Sequence, residues 1–178
     1  ADQVGIDRAV KRAVFLDRDG VINASVVRNG KPYPPASVEE MELLPGVPAA
    51  LAALHAAGFT LIVVTNQPDV ARGTQTRAAV DAIHERMRKE LPLDAIYACF
   101  HDDADDCACR KPKPGLLVDA AAALGLARTT SYTAGDPWRY PDAGPAAGCP
   151  HNLRERVHNG REPTHSAGRQ PPTSAARA

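Results

Sequence analysis

The stretch Ala13-Val14-Phe15-Leu16-Asp17-Arg18-Asp19-Gly20 contains a short apolar run that leads directly into two aspartates and a glycine. Four apolar residues followed by a turn residue are typical of a buried strand that ends near Leu16. In extended chain, side chains two positions apart point to the same side, so we expect Asp17 and Asp19 to lie together. Gly20 would allow the sharp turn that follows. Two adjacent carboxylates repel each other, which predicts a bound cation or a protonated carboxyl, the alternative being a solvated Asp-Gly turn.

The apolar segments after this stretch alternate between strand-like and helix-like patterns. Strands are predicted over residues 60–65, 95–99 and 131–134, and helices over residues 46–57, 76–91 and 114–124. This alternation predicts an α/β fold, a Rossmann-like three-layer sandwich with a central parallel sheet. Ligands of such sheets bind at the carboxyl ends of the strands, which is where Asp17 and Asp19 are expected.

Length and charge narrow the possible functions. The chain has 178 residues, with 21 Lys and Arg against 21 Asp and Glu, and only 4% aromatic residues. A net charge of zero argues against binding nucleic acid through bulk electrostatics. The apolar runs are far too short to span a bilayer, and no signal peptide is visible at the start of the sequence. We therefore expect a cytoplasmic protein that binds neither nucleic acid nor a membrane.

The C-terminal part of the chain has a different composition. From residue 141 to the end, the large aliphatic residues are limited to Leu153 and Val157. A segment of this kind cannot bury enough apolar surface to order itself. We expect one domain over residues 1–149 and a polar, disordered tail over residues 150–178.

Polar residues follow the other predicted strands as well. Thr65 ends the second strand, Asp136 follows the fourth, and Lys111 stands shortly before the third helix. A nucleophilic carboxylate, a metal site and donors for phosphate oxygens are the groups that phosphoryl transfer requires. Taken singly, Thr65 could cap a strand and Lys111 could be a surface charge, but the order of all four elements favours phosphoryl transfer.

Three cysteines and a histidine form the pattern Cys99-x-His101-x5-Cys107-x-Cys109. Three thiolates and one imidazole complete a tetrahedral set, which predicts a structural zinc ion in a loop over residues 99–109. The alternative is a set of reduced cysteines with an unrelated histidine. The aspartates within the loop are expected to form a solvated face, and we expect the zinc ion to position Arg110 and Lys111 rather than to perform chemistry.

Five segments together resemble a known family. They are FLDRDGVIN (15–23), VVTNQ (63–67), ARG (71–73), CRKPKPG (109–115) and AGD (134–136). These segments are similar to those of the haloacid dehalogenase superfamily of aspartate-based phosphatases, and most of all to its heptose 1,7-bisphosphate phosphatase and histidinol phosphatase family. That family also carries a zinc loop with this spacing.

The resemblance implies roles for the catalytic residues. Asp17 would be the nucleophile, and Asp19 would protonate the leaving oxygen and later activate water. Thr65 and Lys111 would hold the transferring phosphoryl group. The Mg²⁺ ion would be held by Asp17, Asp19 through its backbone carbonyl, and Asp136.

The resemblance also implies how the substrate is recognised. Asn66, Gln67 and Arg110 would bind it, with Arg110 contacting a second phosphate group through its guanidinium. The expected protein is a monomer with no large cap domain. Residues 33–35 are expected to rim the site, the alternative being a plain Pro-rich surface loop. Its partner would be a small phosphorylated substrate.

The implied function is a Mg²⁺-dependent phosphatase that hydrolyses a sugar bisphosphate, D-glycero-D-manno-heptose 1,7-bisphosphate, to the 1-phosphate. One alternative is a histidinol-phosphate phosphatase. Another is a catalytically impaired, zinc-containing protein that binds a phosphorylated metabolite, because Tyr140 stands where relatives have a second acidic residue of the fourth motif.

Overall fold

The apolar run that precedes Asp17 forms a strand in the centre of a parallel sheet. The structure, a computed structural model, describes residues 10–135 and 143–153. Strand β1, Ala13–Leu16, is buried along its whole length. The remaining strands of this sheet are β4, Thr60–Asn66; β5, Ala95–Cys99; β6, Tyr132–Ala134; and β7, His151–Asn152, in the spatial order β5-β4-β1-β6-β7 with every pairing parallel.

Helices cover both faces of this sheet. Phe15 and Ile62 pack on one face in an apolar cluster with α3, Gly115–Leu124, and α4, Ala143–Ala146. Val14 and Val63 pack on the opposite face in a cluster with α1, Val47–Ala56, and α2, Arg77–Glu90. Because neighbouring residues of one strand point to opposite faces, β1 and β4 are apolar at consecutive positions. The predicted three-layer α/β architecture is therefore confirmed.

Local signals in the sequence place the helix ends within about two residues of their predicted positions. Helix α2 begins after Thr76, whose side-chain oxygen accepts a hydrogen bond from the backbone N–H of Ala79 at 3.1 Å. Pro114 precedes the first residue of α3, where its missing N–H costs no helical hydrogen bond. These ends set the positions of the loops that reach the carboxyl edge of the sheet.

Two features of the fold were not predicted from the sequence. Strands β2, Val26–Arg28, and β3, Lys31–Tyr33, form an antiparallel hairpin after β1. Each has only three residues, too few for a period-two pattern to be recognised. Likewise, His151 and Asn152 pair with β6 as a short edge strand. The proposed division of the chain at residue 149 stays a prediction.

Several predicted features lie outside the described residues. The residue ranges concerned are 1–9, 136–142 and 154–178. They include Asp136, the predicted Mg²⁺ ligand, and Tyr140, the departure from the family pattern, as well as most of the predicted tail. Within the described part of the chain, no helix combines the length and the apolar character needed to cross a membrane.

Candidate active site

Asp17 and Asp19 lie at the carboxyl edge of the sheet. The backbone N–H of Asp17 donates to the carbonyl oxygen of Ala134 at 2.8 Å, which extends the pairing of β1 with β6 by one residue. The chain then turns at Gly20, whose φ of 81° lies in the left-handed region that glycine adopts without strain. Asp17 and Asp19 line the same cavity, as their spacing predicted.

Lys111 forms a buried ion pair with Asp17. Its Nζ donates to Oδ1 of Asp17 at 3.0 Å and to the carbonyl oxygen of Val64 at 2.8 Å. The lysine side chain is only 4% exposed. Burial lowers the pKa of Lys111, and the charge of Asp17 opposes that shift because it favours the protonated ammonium. The pair places a positive charge directly beside the carboxylate that is predicted to attack phosphorus.

Asn66 anchors the loop that carries Lys111. Its Nδ2 donates to the carbonyl oxygen of Lys111 at 3.0 Å, and its Oδ1 accepts from the backbone N–H of Lys111 at 3.1 Å. Both hydrogen-bonding groups of the amide therefore contact the backbone of one residue, at the end of β4. The observed contacts make Asn66 a positioning residue for Lys111, and its predicted contact with substrate stays a prediction.

Gln67 links two other predicted site residues. Its Nε2 donates to Oγ1 of Thr65 and to Oδ2 of Asp19, each at 2.9 Å. Thr65 and Gln67 are both buried. The glutamine amide thus holds the predicted phosphate-binding hydroxyl and the predicted acid in one arrangement, while its role in substrate binding stays a prediction.

An open cavity of about 290 Å³ connects these groups to solvent. Asp17, Asp19 and Thr65 line this cavity, and so do Arg72 and Arg110. Tyr33 and Pro34 of the hairpin segment line it as well, in agreement with the predicted rim. Two guanidinium groups in the lining of one cavity are suited to a ligand with more than one anionic group.

The four predicted zinc ligands converge. One ligand atom from each of Cys99, His101, Cys107 and Cys109 lies within 4.8 Å of all the others. The three Sγ···Sγ distances are 3.1, 3.4 and 3.6 Å, and Nδ1 of His101 is 3.3 Å from Sγ of Cys109. A tetrahedral site with Zn–S bonds of about 2.3 Å has edges of about 3.8 Å, so this cluster fits one zinc ion after a small expansion.

The thiols of this cluster influence one another's protonation. Burial and the two neighbouring thiols raise the pKa of Cys109 to about 12. Desolvation acts in the same direction on Cys107, but hydrogen bonds from Cys109 and from the backbone of Arg110 outweigh it and lower the pKa of Cys107 to about 7. Three thiolates crowded together need a cation to neutralise them, which agrees with a metal-binding function for the loop.

Acidic residues of the zinc loop pair with the two arginines of the cavity. Asp102 accepts two hydrogen bonds from Arg72, at 2.6 and 2.8 Å, and Asp103 accepts one from Nε of Arg110 at 2.6 Å. The hydrogen bond from Arg72 lowers the pKa of Asp102 to about 2. The side chains of Asp103 and Asp106 are 81% and 89% exposed, in agreement with the predicted solvated face, but the ion pairs with the two arginines were not predicted. The pair could not be predicted from local sequence patterns, because Arg72 and Asp102 are 30 positions apart.

Three buried polar residues beside Asp19 were missed by the sequence analysis. Asn23 donates through Nδ2 to Oδ1 of Asp19 at 3.0 Å. Arg18 is fully buried and donates to Asp19 from Nε and Nη2, while its Nη1 lies 3.2 Å from Nε2 of His84. Arg18 stands inside the quoted stretch, but no local signal shows that its side chain enters the interior instead of solvent.

Comparison with known proteins agrees with this arrangement. The model of the haloacid dehalogenase-like hydrolase family matches residues 33–136. The chain belongs to the haloacid dehalogenase-like hydrolases. The family membership that the sequence motifs predicted is therefore confirmed.

Named relatives of this haloacid dehalogenase-like hydrolase cover most of its length. The D-glycero-beta-D-manno-heptose-1,7-bisphosphate 7-phosphatase of Bordetella bronchiseptica is 37% identical over 143 residues, covering 78% of this chain and 77% of the relative. The enzyme of the same name from Escherichia coli K12 is 38% identical over 136 residues, covering 70% and 68%. The crystal structure of D,D-heptose 1,7-bisphosphate phosphatase from B. bronchiseptica, complexed with magnesium and phosphate, has a TM-score of 0.68 at 36% identity, covering 78% of this chain and 77% of that one.

The donor set of this hydrolase at the carboxyl edge fits a hard divalent cation. The side chain of Asp17 is 12% exposed and lines the cavity. The backbone of Asp19 lies in the turn directly after it. Carboxylate and carbonyl oxygens are the ligands that Mg²⁺ prefers, so Asp17 and Asp19 are suited to hold it.

Proposed function

We propose that this chain is a Mg²⁺-dependent phosphatase that removes the 7-phosphate of D-glycero-D-manno-heptose 1,7-bisphosphate and leaves the 1-phosphate. The observation that carries the proposal is that Asp17, Asp19 and Thr65 line one cavity, with the ammonium of Lys111 in contact with Asp17 and the amide of Gln67 joining Thr65 to Asp19. The names of the relatives, which the chain matches over about two thirds or more of their length, support this choice of substrate.

The first step transfers the phosphoryl group to Asp17. One carboxylate oxygen of Asp17 attacks phosphorus, and the bond between phosphorus and the sugar oxygen breaks. Asp19 donates a proton to that leaving oxygen, so that the product leaves as an alcohol. The ammonium of Lys111 and the hydroxyl of Thr65 hold the phosphoryl oxygens as the P–O bonds are exchanged.

The second step releases phosphate and restores Asp17. Asp19, now ionised, removes a proton from a water molecule that attacks phosphorus. The bond between phosphorus and the Asp17 oxygen breaks, and inorganic phosphate leaves. Gln67 supports both steps because its amide group contacts Thr65 and Asp19 together.

The cations of the cavity favour a substrate with a second phosphate. Arg110, which directly precedes Lys111 in the sequence, lines the cavity. Arg72, in the loop after β4, lines it as well. Planar guanidinium groups bind phosphate through two parallel hydrogen bonds. A bound phosphate would compete with Asp102 and Asp103 for these arginines, so the observed ion pairs hold both side chains near the cavity before substrate arrives.

The two metals have different proposed roles. Asp17, the backbone carbonyl of Asp19 and Asp136 would hold Mg²⁺, which would neutralise charge on the transferring phosphoryl group when bound. Cys99, His101, Cys107 and Cys109 would hold zinc with no open coordination position. Arg110 and Lys111 directly follow the last of these ligands, so an ordered loop fixes both cations.

The direct test is release of phosphate from both anomers of heptose 1,7-bisphosphate, with and without Mg²⁺, and from histidinol phosphate in parallel. We expect Mg²⁺-dependent turnover with a higher kcat/KM for one heptose anomer than for histidinol phosphate. Faster turnover of histidinol phosphate would overturn the substrate assignment. Absence of turnover by folded, zinc-loaded protein would overturn the enzyme assignment in favour of a metabolite-binding protein.

The proposal also includes a monomeric protein that acts in the cytoplasm. A small substrate and a cavity formed within one chain need no second subunit. Light scattering during gel filtration would check the monomer, and a mass of twice the 18.9 kDa of the chain would contradict it.

A further inference from the structure

Among the residues that the structure describes, the most deeply buried charge outside the proposed catalytic groups belongs to Arg18. Its side chain is 0% exposed, although the residue stands between the two aspartates of the site. A buried guanidinium requires hydrogen-bond partners for its donors. Nε and Nη2 find one partner, the carboxylate of Asp19, at distances of 3.1 to 3.3 Å.

The opposite side of the guanidinium contacts helix α2. Nη1 of Arg18 lies 3.2 Å from Nε2 of His84, which is itself 4% exposed. An arginine has no acceptor atom, so Nη1 donates and Nε2 accepts. This assigns the imidazole proton to Nδ1. Burial, with the charge of Arg18 in second place, lowers the pKa of His84 to about 4, and an unprotonated Nε2 is therefore available at neutral pH.

We infer that His84 and Arg18 are positioning residues for Asp19, and that His84 acts through the guanidinium to fix the direction of the carboxyl group that protonates the leaving oxygen. The three groups form one continuous hydrogen-bonded chain from α2 to the edge of the cavity. Nε and Nη2 contact Asp19 as a fork, and the contact of Nη1 with His84 prevents rotation of that fork. Neither residue lines the cavity that holds the proposed catalytic groups.

The other hydrogen bonds to Asp19 do not fix the orientation of its carboxyl group as the arginine does. Asn23 donates to Oδ1 and Gln67 donates to Oδ2, each through a single N–H group. Single hydrogen bonds restrain one oxygen each, whereas the fork restrains the plane of the carboxylate. Proton transfer requires the donor within hydrogen-bonding distance of the leaving oxygen, and small displacements of such a group reduce rates strongly.

The inference rests on the proposed function, because it assumes that Asp19 is the general acid. Its test is therefore the dependence of kcat/KM on the leaving group. A sugar alkoxide leaves poorly without a proton, whereas p-nitrophenolate is a weak base and leaves without one. The measurement compares wild type, Asp19→Asn, His84→Leu and His84→Gln on heptose 1,7-bisphosphate and on p-nitrophenyl phosphate.

We expect His84→Leu to lower kcat/KM for the sugar bisphosphate at least tenfold. General acid catalysis contributes about a hundredfold or more to such rates, and a misplaced acid would lose part of that contribution. The same variant should lower kcat/KM for p-nitrophenyl phosphate by no more than about a third of that factor. His84→Gln supplies an amide oxygen that accepts from Nη1, so it should restore most of the activity on the sugar bisphosphate. Ile83→Val, a buried neighbour on the same helix with no polar contact, is the control and should leave the ratio of the two substrates unchanged.

The outcomes separate this inference from the proposed function. Equal losses on both substrates for His84→Leu, together with a selective loss for Asp19→Asn, would overturn the inference alone and make His84 a purely structural residue. Equal losses for Asp19→Asn, or a wild type without turnover, would overturn the assignment of Asp19 and the inference with it. If His84→Leu does not fold, Arg18→Lys takes its place, because a single ammonium cannot contact Asp19 as a fork and also reach His84, and the same selective loss is expected.

Discussion

Asp17 differs in its partners from the exposed aspartates that the structure describes. Its Oδ1 accepts hydrogen bonds from the backbone N–H of Arg18 at 2.8 Å and from Nζ of Lys111 at 3.0 Å. Exposed aspartates such as Asp81 instead pair with a neighbouring side chain on the same helix. A carboxylate held beside a buried ammonium is already oriented, so less reorganisation is needed when an anionic phosphate approaches.

Replacing this carboxylate is expected to abolish turnover without unfolding the protein. Asp17→Asn keeps the size of the side chain but removes the nucleophile, and we expect kcat to fall by at least about a thousandfold. Phosphate release and thermal unfolding would be measured together, with Asp81→Asn as the control. Retention of a tenth of the wild-type rate by Asp17→Asn would show that another group attacks phosphorus.

The zinc loop and the start of α3 depend on each other. A Cβ atom placed on Gly115 would lie 2.8 Å from the carbonyl carbon of Ala108 and 2.9 Å from Cα of Cys109. The backbone N–H of Gly115 also donates to the carbonyl oxygen of Ala108 at 3.1 Å. Only glycine allows the helix to begin this close to a metal-binding segment. Because of this contact, an ordered zinc loop also fixes the position of the first turn of α3.

Cys107→Ser is therefore expected to release zinc and destabilise the loop. Loss of one thiolate leaves an incomplete ligand set, and metal binding contributes directly to folding stability in such sites. Elemental analysis should find less than about half the wild-type zinc content after dialysis. The control is Cys149→Ser, a buried cysteine outside the cluster whose Sγ donates to the carbonyl oxygen of Ser131. Equal zinc content in the two variants would exclude the four-ligand site.

Gly115→Ala should produce the same loss of zinc by a purely steric route. The added methyl group forces apart α3 and the backbone of Ala108 and Cys109, so the ligands no longer meet. We expect weaker zinc retention during titration with a chelator, and a fall in activity because Lys111 shifts. Ala122→Gly, at an exposed position of α3, is the control, since it costs roughly 1 kcal/mol of helix stability without touching the loop. Zinc retention equal to that of the control would disprove the steric coupling.

The stability of the folded chain should depend on pH through His84. The histidine has a pKa of about 4 in the folded protein, lowered first by burial, against about 6.5 in an unfolded chain. Between these values the unfolded chain binds a proton that the folded chain does not. The contribution is therefore complete above pH 6.5 and is lost as pH falls towards 4, by up to about 3 kcal/mol in total.

Urea unfolding at pH 7 and pH 4.5 would test this dependence. We expect His84→Gln to lose about 2 kcal/mol less than wild type between these two pH values, because glutamine does not titrate. His55→Gln, at an exposed position of α1, is the control for the loss of a histidine, and release of zinc at low pH affects every variant alike. An identical pH dependence for wild type and His84→Gln would contradict the assignment of His84 as a buried, neutral acceptor.

Much of the architecture could be predicted from local signals. The apolar runs of β1 and β4 are continuous because both faces of these central strands are buried, and the pattern is readable within a few residues. Short, exposed elements such as the hairpin of β2 and β3 carry no comparable pattern. The expected convergence of Asp17, Asp19, Thr65 and Lys111 followed from their positions just after strands or before a helix, since parallel strands bring these ends to one edge. Their separate catalytic roles were implied by the resemblance to the phosphatase family.

The sequence contains the types and spacing of the reactive groups: two aspartates after one strand, a threonine after another, and four zinc ligands within eleven residues of chain. These features depend on near neighbours and on the geometry of a strand or a loop. The partners of those groups depend on the packed fold. His84 lies 66 positions from Arg18, and Lys111 lies 94 positions from Asp17. Such contacts arise because an unpaired polar group is costly in the interior, so most buried polar groups have a partner. The path of the whole chain, rather than the neighbouring residues, determines which partner that is.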